Sequence, residues 1–190
     1  MPLTPQQKST VRRAIVEAAQ TRIGIKEDGP PYDNRGIEVD KYLAFVGDPP
    51  GSPWCLAFAE YCVDLGLQGA GEEFGASTLV KTGYCPALAD HARQAGILLS
   101  ADDVAAGHAI VRPGDIVLVW ETFDNSAEGN NYHHSGIIEV PPLGSGEFHS
   151  IEGNTNTDGG SEGYIVARQI RTLATNAADG HARYAFVMTV

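Results

Sequence analysis

Cysteine is scarce in this sequence, at three in 190 residues. Cys55, Cys62 and Cys85 are odd in number and too few for a disulfide scaffold. No CxxC pair and no Cys/His cluster stands at zinc-site spacing, so neither a structural metal nor a cofactor is expected. Thiols kept reduced are the expectation. Basic residues are also few, 13 against 24 acidic, for a formal charge of −11. That excludes nucleic acid as a natural partner, since phosphate binding draws on clustered Lys and Arg. It also argues against bulk electrostatic capture by anionic polymers and for recognition in a shaped groove. No apolar run approaches the roughly 20 residues that span a bilayer, so no membrane insertion is expected. The first twenty residues lack the apolar core and small-residue cleavage site of a signal peptide and read as structure, with synthesis in the cytoplasm.

What is present suits one domain over 1–190: 43% apolar and 19% charged residues, in a length usual for a single unit. Helical spacing of Val11, Ile15, Ala18, Ala19 and Ile23 predicts a helix over 5–23, and a second is expected over 37–46. The Pro- and Gly-rich stretch 47–53 is irregular. A helix over 54–65 follows, with Pro53 before it and Gly66 read as its stop. A further helix is expected over 86–94. Beyond residue 110 the period becomes that of strands: 115–120, a hairpin of 134–140 and 146–153, then 164–170 and 184–190. Helices first and antiparallel strands later indicate an α+β domain.

The chemistry centres on Cys55. A cysteine in the first helical turn meets unpaired N–H groups and the positive end of the helix dipole, which favour the thiolate. The same N–H groups suit a developing oxyanion, and that of Cys55 is one candidate donor. Against this, a lone cysteine is usually a small buried hydrophobe; Cys62 and Cys85 are read that way. Cys62 lies two helical turns from Cys55, too far for a disulfide partner. A thiolate needs a base, and His134 opens a strand beside Ser135 and Gly136, which leave room for the ring. His133 points to the opposite face and reads as a solvated histidine, and the other four histidines as surface or structural. Strand parity places Glu152 and Asn154 on one face, where either could orient the imidazole. Trp54 is either core or cleft wall, and Tyr132, with Trp120 and Phe123, is a candidate groove lining.

Taken in order, Pro53-Trp54-Cys55-x-Ala57-Phe58, then His134-x-Gly136-Ile137-Ile138, then Ile151-Glu152-Gly153-Asn154-Thr155 resemble the CHAP domains, the cysteine- and histidine-dependent amidohydrolases and peptidases of the papain-like, NlpC-type group. The lead-in Ile23-Gly24-Ile25-Lys26-Glu27 and Asn34 to Leu43 is similar to phage and prophage members, so the resemblance covers roughly 5–156. It implies a papain-like fold, with Cys55 at a helix N-terminus packed on a C-terminal antiparallel sheet of about five strands. It implies Cys55 as nucleophile, His134 as base, and Glu152 or Asn154 orienting the ring.

The substrate implied is bacterial peptidoglycan, cut at the sugar-to-L-alanine amide, in the stem peptide or in a cross-bridge. The chain is then expected to act as a monomer, carried to the wall by a holin-dependent lysis system or another delivery apparatus. Two departures stand out. Trp54 occupies the region where many members carry an oxyanion-stabilising Gln, leaving the second donor unassigned. Asp48 alone does not make the acidic calcium loop of some members, so no metal is expected. The alternatives are a thiol amidohydrolase on a non-wall amide and a catalytically inactive phage structural or binding module.

Overall fold

The computed structural model describes residues 2–120, 132–144, 146–157, 163–173 and 183–190. Helix α1 spans Pro5–Gln20 and begins where the sequence supplies a capping box. The Thr4 hydroxyl accepts from the Gln7 N–H, and the Gln7 side chain accepts from the Thr4 N–H, with Pro5 opening the helix. It stops three residues short of the expected end. Helix α2 is Ile37–Val46, α3 Cys55–Gly69, α4 Cys85–Ala95 and α5 Ala101–Ala105. The strands are β1 Leu98–Ser100, β2 Ile116–Trp120, β3 Tyr132–Val140, β4 Glu147–Thr155, β5 Ile165–Thr172 and β6 Tyr184–Val187. They form one antiparallel sheet in the order β1-β6-β2-β3-β4-β5.

The architecture is thus α+β, with five helices and a six-stranded antiparallel sheet among the described residues. About five strands were expected. The sixth is β1, three residues too short to show a period, whose pairing with β6 is non-local. Gly66 does not end α3, which runs on to Gly69. A Cβ at Gly66 would lie 2.5 Å from Ile15 Cγ1 and 2.7 Å from the Ile15 nitrogen, so this glycine lets α1 and α3 cross in backbone contact.

The main core lies between the helices and one side of the sheet. Val11, Ile15, Leu56, Phe58, Leu67, Ile137, Ile151 and Val187 share it. Arg12 of α1 reaches through to pair with buried Asp115 and donates to the Val190 carbonyl at 2.6 Å, tying the first helix to the end of the chain. A smaller cluster of Val117, Val119, Ile138, Phe148 and Phe186 fills a second core. Helix α3 packs on β3 and β4, which sets the start of that helix against the two strands carrying the other candidate residues. No helix among the described residues is long and apolar enough to cross a membrane.

Candidate active site

Cys55 is the first residue of α3, and the Trp54 side chain at the N-cap makes no hydrogen bond to the helix end. Amide N–H groups of the first turn have no acceptor within the helix itself, so the thiol sits at a pole of donors. The approach of the chain to Cys55 is fixed by Trp54. Its indole N–H donates to Glu27 Oε1 at 3.0 Å, and Glu27 Oε2 accepts from the Asn34 N–H at 2.8 Å. Glu27 is itself buried. On the other side Gly153 of β4 lies flat against Trp54 and Phe58, where a Cβ would come within 2.7 Å of each.

His134 of β3 is wholly buried, and its Nε2 lies 2.8 Å from Glu152 Oε2. A carboxylate only accepts, so Nε2 carries the proton and donates. That leaves Nδ1, with no hydrogen bond among the described residues, as the nitrogen free to exchange a proton with the neighbouring Cys55 thiol. The Cys55 Sγ also lies 4.0 Å from the His133 carbonyl oxygen.

Glu152 is surrounded by donors. Oε2 accepts from His134 and from Arg171 Nη2 at 2.6 Å, while Oε1 accepts from Arg171 Nε at 2.6 Å and from the Ser150 hydroxyl at 2.5 Å. Burial works against its ionisation, but Arg171 and then His134 outweigh it and hold the carboxyl at about 2. Burial likewise opposes a charged His134, and the Cys55 and Glu152 contacts overcome it, raising the ring to about 10. The Cys55 thiol is held well below its ordinary value. Hydrogen bonding from Cys85 is the largest cause; burial opposes it, and His134 and Ser135 add to it. These shifts favour a thiolate–imidazolium pair backed by an ionised carboxylate.

The residues singled out in the sequence therefore divide. Cys55, His134 and Glu152 come together. Asn154 makes no hydrogen bond to His134 among the described residues: it is buried, adopts a left-handed φ of 52° at the end of β4, and its Oδ1 has no hydrogen-bond partner among those residues. Trp54, a candidate cleft wall, is fully buried against Tyr42, Gly153 and Glu27 and offers no face to a ligand. Tyr132 is 8% exposed and meets Trp120 edge-on, with ring centroids 5.4 Å apart. Phe123 and His181 lie outside the described residues. His133 is exposed, and His91 faces the Thr78 carbonyl oxygen at 3.0 Å.

Three participants were not legible as such. Cys85, read as packing, is the first residue of α4, and its thiol lies close enough to the Cys55 sulfur to be the largest influence on it, so two helices each bring the cysteine of their first turn to this site. The Cys55 thiol beside it, then burial, push the Cys85 thiol well above its usual range. The signal was available: Pro86 marks a helix start, as Pro53 does before α3. Ser135 contacts both thiols. Arg171 carried no signal, because only the β4–β5 pairing brings it to Glu152. Cys62, by contrast, is buried and raised to about 12 by its burial, an unreactive thiol.

A groove of about 920 Å³ lies elsewhere, between α1 and the C-terminal strand region, lined by Lys8, Arg12, Val16, Arg112 and Met188 among others and by none of the candidate site residues. Among the described residues no group of three or more His, Cys, Asp or Glu side chains is arranged to hold a metal ion.

No protein-family model matches the chain, and no curated protein matches it. One solved structure is similar, described as the crystal structure of Ly7917, with a TM-score of 0.45 and 14% sequence identity. The match covers 93% of this chain and 62% of that one, so this chain spans less than two thirds of its length. At that TM-score the likeness does not establish a shared fold.

Proposed function

We propose that this chain is a cysteine amidohydrolase or peptidase of papain-like type that cleaves amide bonds in bacterial peptidoglycan. The observation that carries the chemical half of this reading is the buried His134, held by Glu152 through Nε2 and left with an unpartnered Nδ1 among the described residues, next to a thiol at a helix N-terminus. That is a nucleophile, a base and an orienting group in sequence. The wall as substrate rests on the resemblance of the motifs to CHAP domains.

In this mechanism the Cys55 thiolate attacks the amide carbonyl. The oxyanion that develops is met by first-turn N–H groups of α3, the Cys55 N–H among them, in a site already screened from water; one such donor is typically worth about 10²–10³ in rate. The His134 imidazolium then gives its Nδ1 proton to the leaving amine, and the C–N bond breaks to leave an acyl-thioester. Water attacks the thioester as Nδ1 takes up its proton, and the thiolate is released with a carboxylate product. Glu152 stays ionised throughout and holds the proton on Nε2, so that Nδ1 alone changes state. No metal enters any of these steps. Synthesis in the cytoplasm and delivery to the wall by a lysis or injection apparatus belong to the same proposal.

The test is incubation of wild-type protein and Cys55→Ala with purified peptidoglycan from several wall chemistries, with mass spectrometry of the released fragments. New lactyl carboxyl groups indicate an amidase, and new peptide termini an endopeptidase. Both products must be missing in the variant. Cleavage that survives in Cys55→Ala removes the thiol from the mechanism. No cleavage by either protein moves the substrate to a non-wall amide.

A further inference from the structure

We propose that Arg171 is a positioning residue for the Cys55–His134 pair, fixing Glu152 as an ionised carboxylate so that the imidazole keeps its proton on Nε2 and offers Nδ1 to the thiol. This rests on the catalytic pair proposed above, but not on the identity of the substrate.

The geometry is specific. Strand register places Phe148, Ser150 and Glu152 of β4 on the same side as Arg171, Gln169 and Ala167 of β5. From there the Arg171 guanidinium grips Glu152 with two hydrogen bonds of 2.6 Å, one to each oxygen. A carboxylate has about four acceptor positions, and here four donors occupy them: two N–H of Arg171, the Ser150 hydroxyl and His134 Nε2. A saturated carboxylate cannot turn or exchange its oxygens. Nor can it take up a proton without setting that proton against a donor. The forked, two-point contact is what a guanidinium supplies and an ammonium does not.

The charges also balance. Cys55 and Glu152 contribute two negative charges, His134 and Arg171 two positive ones, in a site where Glu152 and His134 are 0% exposed and Cys55 is 3% exposed. The titratable groups facing Glu152 are His134 from β3 and Arg171 from β5; Cys55 of α3, Cys85 of α4 and Tyr184 of β6 reach it through those two. Without Arg171 the carboxylate keeps one ring N–H and one hydroxyl as donors, at full burial. Burial then draws a proton onto it. A protonated Glu152 donates to Nε2 rather than accepting from it, which moves the ring proton to Nδ1, the nitrogen that must be empty to receive the thiol proton. Both the base and the thiolate are lost together.

The experiment reads the thiolate directly and needs no substrate. Alkylation of Cys55 by iodoacetamide is followed across pH by peptide mass mapping in the wild type, Arg171→Met, Arg171→Lys, Glu152→Gln and Arg171→Met/Glu152→Gln. In Arg171→Met the pH at which Cys55 becomes reactive rises by roughly 1–3 units, the shift usual for an ionisable group that loses an adjacent opposite charge, here the imidazolium beside the thiolate. Arg171→Lys restores most of the pH midpoint while leaving a lower plateau rate, since it returns the charge without the fork. In the double variant the Arg171 change adds little to that of Glu152→Gln, because it acts through that carboxylate. Should Arg171→Met fail to fold, as judged by circular dichroism, Arg171→Lys and the double variant carry the test. An unchanged or lower midpoint in Arg171→Met, or in its absence a wild-type profile in Arg171→Lys, overturns the proposal; so do fully additive effects. Wild-type alkylation behaviour as described, together with no cleavage of peptidoglycan, separates a correct positioning role from an incorrect substrate.

Discussion

Gly153 sits at the joint between the sheet and the helix that carries the nucleophile, and a single added methyl group there tests the geometry of the pair. A Cβ at this position would meet Phe58 Cβ and Trp54 Cζ3, both at 2.7 Å, and Phe58 Cγ at 2.8 Å, where ordinary contact begins at 3.4 Å. The gap must therefore open by about 0.7 Å, the difference between those two distances. Trp54 and Phe58 cannot easily yield. The indole is pinned by Glu27, and both rings pack on Tyr42. The start of α3 moves instead, and Cys55 lies between the two residues being pushed. Overpacking of this kind costs about 1–3 kcal/mol of stability. A misplacement near 1 Å costs about 10²-fold in rate, so a shift of this size predicts a loss of about 10- to 100-fold in kcat/KM. The assay is peptidoglycan clearance beside thermal unfolding of Gly153→Ala, at a temperature where the variant is fully folded. A variant with wild-type rate and wild-type stability would refute the claim that β4 fixes the position of α3.

Other consequences follow from the buried ionisable groups. Glu60 of α3 is fully buried, with Oε2 accepting from the Thr82 N–H and Oε1 without a partner among the described residues, and burial pushes its carboxyl up to about 9. A carboxyl whose folded value lies above its unfolded one binds more protons when folded, so stability should fall as pH rises from about 4.5 towards 9. Glu60→Gln should flatten that slope in urea titrations at pH 5, 7 and 9; an unchanged slope would contradict it. Cys85→Ala removes the largest contribution holding the Cys55 thiol down, so Cys55 alkylation should become slower at neutral pH and recover at alkaline pH, with an unaltered profile as the contrary result. Arg12→Met leaves Asp115 buried without its partner and should cost about 3–5 kcal/mol, the usual penalty for breaking a buried pair, read as a fall in the urea midpoint; a loss below about 1 kcal/mol would show that Asp115 simply takes up a proton.

Local chemistry was the legible part of this molecule. Cys55 could be placed at a helix start because a Pro- and Gly-rich loop gives way there to an apolar helical stripe, and α3 does begin at that residue. Strand parity set Glu152 and Asn154 on one face but could not choose between them. The choice is made by a left-handed turn at Asn154 and by the β4–β5 register, neither of which has a sequence signature. Arg171 was invisible for the same reason, since it lies 19 residues from Glu152 and meets it only across the sheet. Gly66 misled because a glycine late in a helix usually ends it, whereas this one makes room for Ile15. Cys85 reads as a small buried hydrophobe because it lies 30 residues from Cys55, on a different helix, and no local pattern links the two. The neighbour of Cys55 comes from this second helix with its own N-terminus at the site.

The measurement that bears most directly on the central claim is capture of the acyl-enzyme. Protein mixed with soluble peptidoglycan fragments is quenched in acid within the first turnovers and mapped by mass spectrometry. The account predicts an acyl adduct on Cys55 alone, released by hydroxylamine, with no turnover in Cys55→Ala. Fragment cleavage that proceeds without an adduct and persists in Cys55→Ala would contradict it.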